Sequence, residues 1–389
     1  MEEFTGSFNR QLSRITPSPI RDFDEKCSSI EGIIKLTLGE PDFNTPEHVK
    51  AAGIQAIQNN YSRYTPNAGE LKLRQAVSAF FQEKYNVTYR AEDEIIVTVG
   101  ATEAYSASLL AILNPGDKVL IPTPTFPGYE PVVTLAGAEA VHIDTSSNGF
   151  VLSPEMIRQA MSTHGQAVKA IILNYPSNPT GVTYNRQEVQ AIADCLKEFN
   201  IFVISDEIYS ELTYEGQHVS ISEFIPDRTI LVSGLSKSHA MTGWRVGFIL
   251  TPASIAREIS KSHQFIVTAS TSISQYAAIN ALTEGKNDGQ IMKDAYQERR
   301  DFVCGVLAKL EMEVARPSGA FYVFAKIPAN FEQNSLAFCE DLAVTEKLAI
   351  VPGSAFGPGG EGYVRISYAA SLATLEEAIN RLTRFLKNK

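Results

Sequence analysis

Seven short apolar runs mark out the middle of the chain: IIVTV (95–99), KVLI (118–121), AVHI (140–143), KAIILN (169–174), IFVIS (201–205), TILVS (229–233) and VGFIL (246–250). They are continuous rather than alternating, which is the pattern of strands buried on both faces. Helical segments lie between them, among them 102–113, stopped by Asn114-Pro115-Gly116, and 186–199. The order predicts an α/β fold with a mostly parallel, seven-stranded-type sheet held between helices. In such a sheet the working crevice opens at the carboxyl ends of the strands.

The texture changes after about residue 285. A long amphipathic helix is followed by two hairpin-like segments, FYVFAKI (321–327) and YVRISY (363–368), and then by a last helix. That helix is predicted to begin at Thr374, where Thr-Leu-Glu-Glu offers a capping box closed by Glu377. At 389 residues the chain exceeds the roughly 250–300 at which one core stops growing, so two domains are expected. We read a large domain at 45–287, a smaller α+β domain at 288–389, and an N-terminal segment, 1–44, joining the smaller one. No repeat or flexible linker separates them, which predicts close packing around a shared cleft.

Charge and cysteine usage narrow the function classes. Lys and Arg number 34 against 44 Asp and Glu, a net charge of −10 that repels phosphate backbones and argues against nucleic acid as a partner. Cys27, Cys195, Cys304 and Cys339 are too far apart for a metal knuckle or redox pair, and the six histidines form no ligand-spaced cluster, so no metal is expected. No window reaches the roughly 18 consecutive apolar residues of a membrane span, and the start is polar, so the sequence reads as an untargeted, cytoplasmic protein with no membrane partner.

Chemistry concentrates where strands end. Lys237 follows the run TILVS in SGLSKSHAMTGWRVG (233–247), with Arg245 eight positions on. A lysine there is placed to form a Schiff base, provided burial and neighbouring cations keep its amine neutral. Alone it would read as one more solvated lysine; its company changes that. Asp206 directly follows IFVIS, where a carboxylate can hold the charge of a protonated pyridine nitrogen, and Tyr209 is placed to donate to a phenolic oxygen. Gly100, Ala101 and Thr102 close a strand and open a helix, a ready cradle for phosphate. Asn178 sits in YPSNPTG, a sequence that forces a fixed turn after 169–174. His239 reads as structural or as a support to the site, and most of the aromatics of 321–324 read as core.

NYPSNPTG, SDEIYSE and SKSHAMTGWRVG, in this order and spacing, resemble the pyridoxal-phosphate-dependent aminotransferases of fold type I, the class I/II enzymes related to aspartate aminotransferase. LGEPDF (38–43), YTPNAGELKLR (64–74), VTVGATEA (97–104), PTPTFPGY (122–129), RPSGAFYVF (316–324) and YVRISYA (363–369) extend the resemblance over nearly the whole chain. The texture is most similar to bacterial aromatic-amino-acid aminotransferases. The resemblance implies the cofactor pyridoxal 5′-phosphate and a role for each matching residue. Lys237 corresponds to the lysine that binds the cofactor covalently and later moves the proton. Asp206 corresponds to the partner of the pyridine nitrogen, and Tyr209 and Asn178 to the donors to the phenolic oxygen. Phe126 takes the place of the ring-stacking aromatic, which many relatives supply as tryptophan or tyrosine. Gly100, Ala101, Thr102, Ser236 and Arg245 correspond to the phosphate cup. Tyr64 corresponds to a tyrosine that reaches the phosphate of the other subunit, implying a homodimer with shared sites. Arg365 and Asn178, with the backbone of Gly39, correspond to the clamp on the substrate α-carboxylate.

The expected reaction is ping-pong transfer of an amino group between an amino acid, aromatic by texture, and a 2-oxo acid. Aspartate or alanine aminotransferase activity and carbon–sulfur β-lyase activity are the rivals on the same fold. A non-catalytic regulator would carry a DNA-binding module ahead of the LGEPDF motif, which here begins at residue 38.

Overall fold

A computed structural model describes residues 7–315 and 317–388. Position 316, which opens the RPSGAFYVF motif, lies outside the described residues, as do the first six positions of the N-terminal segment. Twelve strands are described: β1 (Ile34–Lys35), β2 (Ile95–Thr98), β3 (Lys118–Thr123), β4 (Glu139–Asp144), β5 (Val168–Asn174), β6 (Phe202–Asp206), β7 (Thr229–Gly234), β8 (Gly247–Leu250), β9 (Tyr322–Lys326), β10 (Leu348–Ala349), β11 (Val351–Pro352) and β12 (Tyr363–Ser367).

The seven apolar runs become the seven strands of one sheet, in the order β2-β8-β7-β6-β5-β3-β4. All neighbours are parallel except β8, which runs antiparallel to both β2 and β7. Period-two alternation sends successive side chains to opposite faces. On β6, Val203 joins a core with Val189 and Ile192 of helix Arg186–Leu196, whereas Ile204 joins the opposite core with Ala104 and Ala107 of helix Gly100–Ile112. Because both faces are covered, β2 and β7 are buried along their whole length. Truncating a fully buried residue such as Ile204 to alanine therefore costs about 2–5 kcal/mol.

The C-terminal part is built on the antiparallel sheet β11-β12-β9, in which Arg365 lies opposite Phe324. The two strands read as hairpin-like are antiparallel neighbours, but helix Ser335–Thr345 and two short strands separate them in the chain. Strand β1 pairs in parallel with β10, and Phe23 and Leu36 enter the same core as Phe321, Leu342 and Leu375. The N-terminal segment is thereby packed into the core of the C-terminal part. The last helix corrects the sequence reading: it spans Leu372–Lys387 and is capped by Ser371, whose hydroxyl accepts from the Thr374 amide at 3.1 Å. Glu377 does not close a capping box; it bonds Arg381 one turn on, at 2.8 Å. Among the described residues no helix is long and apolar enough to cross a membrane.

Candidate active site

The ends of β2, β3, β5, β6 and β7 and two strands of the smaller sheet, β9 and β12, meet at a cavity of about 770 Å³. Asp206, the last residue of β6, is 4% exposed; its Oδ2 accepts from the Tyr129 hydroxyl at 2.7 Å and its Oδ1 from the Ile208 amide at 3.2 Å. Burial pushes its carboxyl up from 3.8 to about 6, against the pull of those two donors. In the loop after β7, Lys237 donates from Nζ to the Gly39 carbonyl and stands 5.8 Å from the ring centroid of Tyr209. Burial lowers this amine from 10.5 to about 8; Arg245 and Arg365 add to the fall, and Glu40 and Asp206 resist it.

The turn after β2 has the form expected of an anion cradle. Gly100 adopts φ +75°, in the left-handed region, and opens helix Gly100–Ile112 with no side chain capping its start. A Cβ at Gly100 would run into the Arg245 guanidinium, so this position must be glycine for the cation to reach the helix start. Arg245 itself sits at φ +56°, a strained conformation for arginine.

After β5, Asn174 organises the next turn: its Oδ1 accepts from the Asn178 amide at 3.0 Å and its Nδ2 donates to the Asp206 carbonyl at 3.3 Å. This presents the Asn178 carboxamide to Arg365, whose Nη1 donates to Asn178 Oδ1 at 2.8 Å while Nη2 donates to the Thr37 carbonyl. Arg365 is 2% exposed, lies 4.5 Å from the Tyr322 ring centroid and 5.0 Å from that of Phe356, and keeps a buried Nε with no hydrogen-bond partner. A buried donor without a protein partner is uncommon and calls for an explanation.

The structure brings most of the predicted residues together. Gly39, Ala101, Thr102, Phe126, Asn178 and Asp206 line the cavity, and so do Tyr209, Ser236, Lys237, Arg245 and Arg365. Gly100 stands behind the wall, in contact with Arg245. Tyr64 does not line this cavity; it is 89% exposed on the outer surface. His239 is fully buried, bonded through Nδ1 to Ser238 and through Nε2 to the carbonyls of Ala281 and Gly285, and so is structural. Sequence reasoning missed Tyr129, Asn174 and Tyr322, whose polar groups bond Asp206, Asn178 and Tyr209, and the return of Arg14 to Arg21 along the cavity.

The family model for aminotransferase class I and II matches residues 31–382. The chain belongs to this family. It is 48% identical to the probable N-acetyl-LL-diaminopimelate aminotransferase of Bacillus subtilis (strain 168), over 98% of this chain and 96% of that protein. The structure of the aspartate aminotransferase from Thermus thermophilus with maleate superposes with a TM-score of 0.92 at 34% identity, covering 98% and 100% of the two chains. That of the aromatic aminotransferase from Pyrococcus horikoshii OT3 gives 0.88 at 37% identity, covering 95% and 99%. Class I aminotransferases are pyridoxal-phosphate enzymes, and the fold and enzyme class expected above are those of the family. The cavity fits that cofactor: an uncapped helix start beside a guanidinium for the phosphate, a buried carboxylate for the ring nitrogen, and an amine of lowered pKa in the same cavity.

Proposed function

We propose that this aminotransferase moves an amino group from an aromatic amino acid to a 2-oxo acid of the 2-oxoglutarate type, by a ping-pong route, as a cytoplasmic homodimer with the domain division 1–44, 45–287 and 288–389. The observation that carries the chemistry is the convergence of Lys237, Asp206 and Arg365 on one cavity. When bound, pyridoxal phosphate supplies an electron sink for the charge left at Cα once its proton is removed. Asp206, ionised near neutral pH, holds the positive charge of the ring nitrogen that makes the sink effective. Tyr209 and Asn178 donate to the phenolic oxygen, Phe126 covers a ring face, and the Gly100–Ala101–Thr102 turn, Ser236 and Arg245 hold the phosphate. Arg365, a rigid fork, takes the α-carboxylate with Asn178 and the Gly39 backbone beside it, which turns Cα–H toward Lys237. Lys237 Nζ, with its pKa near 8, has a neutral fraction at physiological pH and moves the proton from Cα. Tyr64, outside its own cavity, reaches the phosphate of the partner subunit.

The side-chain region of the cavity supports the substrate reading. Ile15, Ile20 and Phe356 give it apolar walls for an aromatic ring. Arg14 and Arg21 line it as well, and among the described residues neither is paired with a carboxylate, which suits the distal carboxylate of the acceptor. Those two cations also favour a second reading, an aspartate-type donor. Single-turnover kcat/KM for phenylalanine, tyrosine, aspartate and alanine decides between them. Burying a ring contributes about 1.5–3 kcal/mol, so the aromatics should lead alanine by about tenfold or more. A clear lead for aspartate over both aromatics would overturn the aromatic assignment and leave amino transfer intact.

A further inference from the structure

The hydroxyls of Tyr209 and Tyr322 lie 2.8 Å apart, and both residues are buried. A phenol has one proton to donate. On the reading above, Tyr209 gives its proton to the cofactor's phenolic oxygen, so within the pair Tyr322 must be the donor and Tyr209 the acceptor. Tyr322 is also the residue beneath Arg365, with the guanidinium carbon 4.5 Å from its ring centroid. We propose that Tyr322 is a positioning residue that couples the carboxylate site at Arg365 to the hydrogen bond Tyr209 makes with the cofactor. This rests on the roles of Tyr209 and Arg365 proposed above.

The coupling follows from electrostatics over short distances. A cation against an aromatic face draws electron density from the ring and makes its O–H a stronger donor. That bond polarises Tyr209 in turn, and bonds in such a chain strengthen one another by about 10–30% each. Charge on the cofactor oxygen is therefore best stabilised when Arg365 has no anion beside it. A substrate carboxylate at Arg365 offsets the field on the Tyr322 ring, weakens both bonds, and lets a proton on the neighbouring nitrogen persist to higher pH. The site would thus pass the news of a bound carboxylate to the reacting centre through one ring and two hydroxyls. Gly39 makes room for the Tyr322 hydroxyl, since a Cβ there would overlap it. The charged groups that face the pair are Arg365 from β12, Lys237 from the loop after β7 and Asp206 at the end of β6. Replacing Tyr322 with phenylalanine leaves all three in place.

The test is a pH titration of the visible absorption of the holoenzyme, with and without saturating 3-phenylpropanoate, a carboxylate that has no amino group to transfer. Tyr322→Phe should move the ligand-free midpoint upward by about 0.2–0.6 of a pH unit. It should also shrink the further upward shift that 3-phenylpropanoate causes in the unmodified enzyme. Added to Tyr209→Phe, it should cause no additional shift, because it acts through Tyr209. Arg365→Gln provides a second route: it should raise the ligand-free midpoint, and by less when Tyr322 is already phenylalanine. A Tyr322→Phe enzyme with an unchanged midpoint and an undiminished ligand response would overturn the coupling, and so would a Tyr322→Phe shift that survives in full in the Tyr209→Phe background. A Tyr209→Phe enzyme with an unchanged midpoint would instead refute the placement of Tyr209 at the cofactor oxygen, a separate failure.

Discussion

Replacing Asp206 with asparagine should make the cofactor-free protein relatively more stable as pH rises, while removing the group its chemistry depends on. Burial lifts this carboxyl from 3.8 to about 6. At about 1.4 kcal/mol per tenfold change in proton affinity, that corresponds to about 3 kcal/mol of strain stored in the ionised, folded side chain. The folded protein binds this proton more tightly than the unfolded chain does, so the cost is absent below pH 3.8, grows as pH rises through about 6, and is constant above. Asparagine does not titrate and carries no such cost. Urea unfolding of both cofactor-free proteins, at one protein concentration and from about pH 4 to 8, measures the difference directly. The gap should open in favour of Asp206→Asn by about 3 kcal/mol across that window and then level off. Its absolute offset depends on how the new amide meets the Tyr129 hydroxyl and the Ile208 amide, so the pH-dependent part is the quantity to read. Pyridoxal phosphate should reverse the order, since a protonated ring nitrogen pairs with the aspartate and not with the asparagine. A gap that stays flat with pH, or that opens in favour of the wild type without cofactor, would refute the argument.

Lys237→Ala should retain pyridoxal phosphate without a covalent bond and lose amino transfer by about 10³-fold or more, since attachment and proton movement depend on one amine; near-normal turnover would end that assignment. In the unmodified protein, stopped-flow capture of the cofactor should accelerate with pH through about 8, where Lys237 is half neutral, and level off once it is mostly neutral above that. Arg365→Lys should lower kcat/KM by about 10²- to 10³-fold, largely through KM, because a point charge cannot replace a fork bonded to Asn178 and Thr37; steady-state kinetics with phenylalanine gives the answer. Mixing Tyr64→Ala with Lys237→Ala chains should restore activity in heterodimers, where both defects fall on one composite site. No recovery after verified subunit exchange would count against shared sites.

The sheet was legible because burial on both faces leaves a continuous apolar run, and each of the seven runs is a strand. The reversal of β8 was not, since a strand covered on both sides has the same composition whichever way it runs. The start of the last helix was misplaced by a competition between two hydroxyl residues, Ser371 and Thr374, that are separated by one turn and are both able to cap; Glu377 is drawn away by Arg381. Residues at the site divide by the same logic. Lys237, Asp206, Gly100 and Asn178 are polar or glycine directly after apolar strands, where nothing in the core needs them, and local sequence exposes them. Tyr129 and Tyr322 are aromatics in a helix and a strand; in sequence Tyr322 falls among the rings of 321–324 read as core, and Tyr129 has no role beyond closing the motif PTPTFPGY. Only the fold directs the Tyr129 hydroxyl at Asp206, 77 positions away, and the Tyr322 hydroxyl at Tyr209, 113 positions away. Their apolar bodies account for their burial and their hydroxyls for their function, so a phenylalanine at either position should leave the fold almost unchanged and alter the site. Urea unfolding of Tyr129→Phe should therefore shift by only about 1.5–3 kcal/mol, the loss of one hydrogen bond to a buried carboxylate, while its affinity for pyridoxal phosphate changes with the proton affinity of Asp206. Unfolding shifted by several kcal/mol with cofactor binding untouched would make Tyr129 an ordinary core residue.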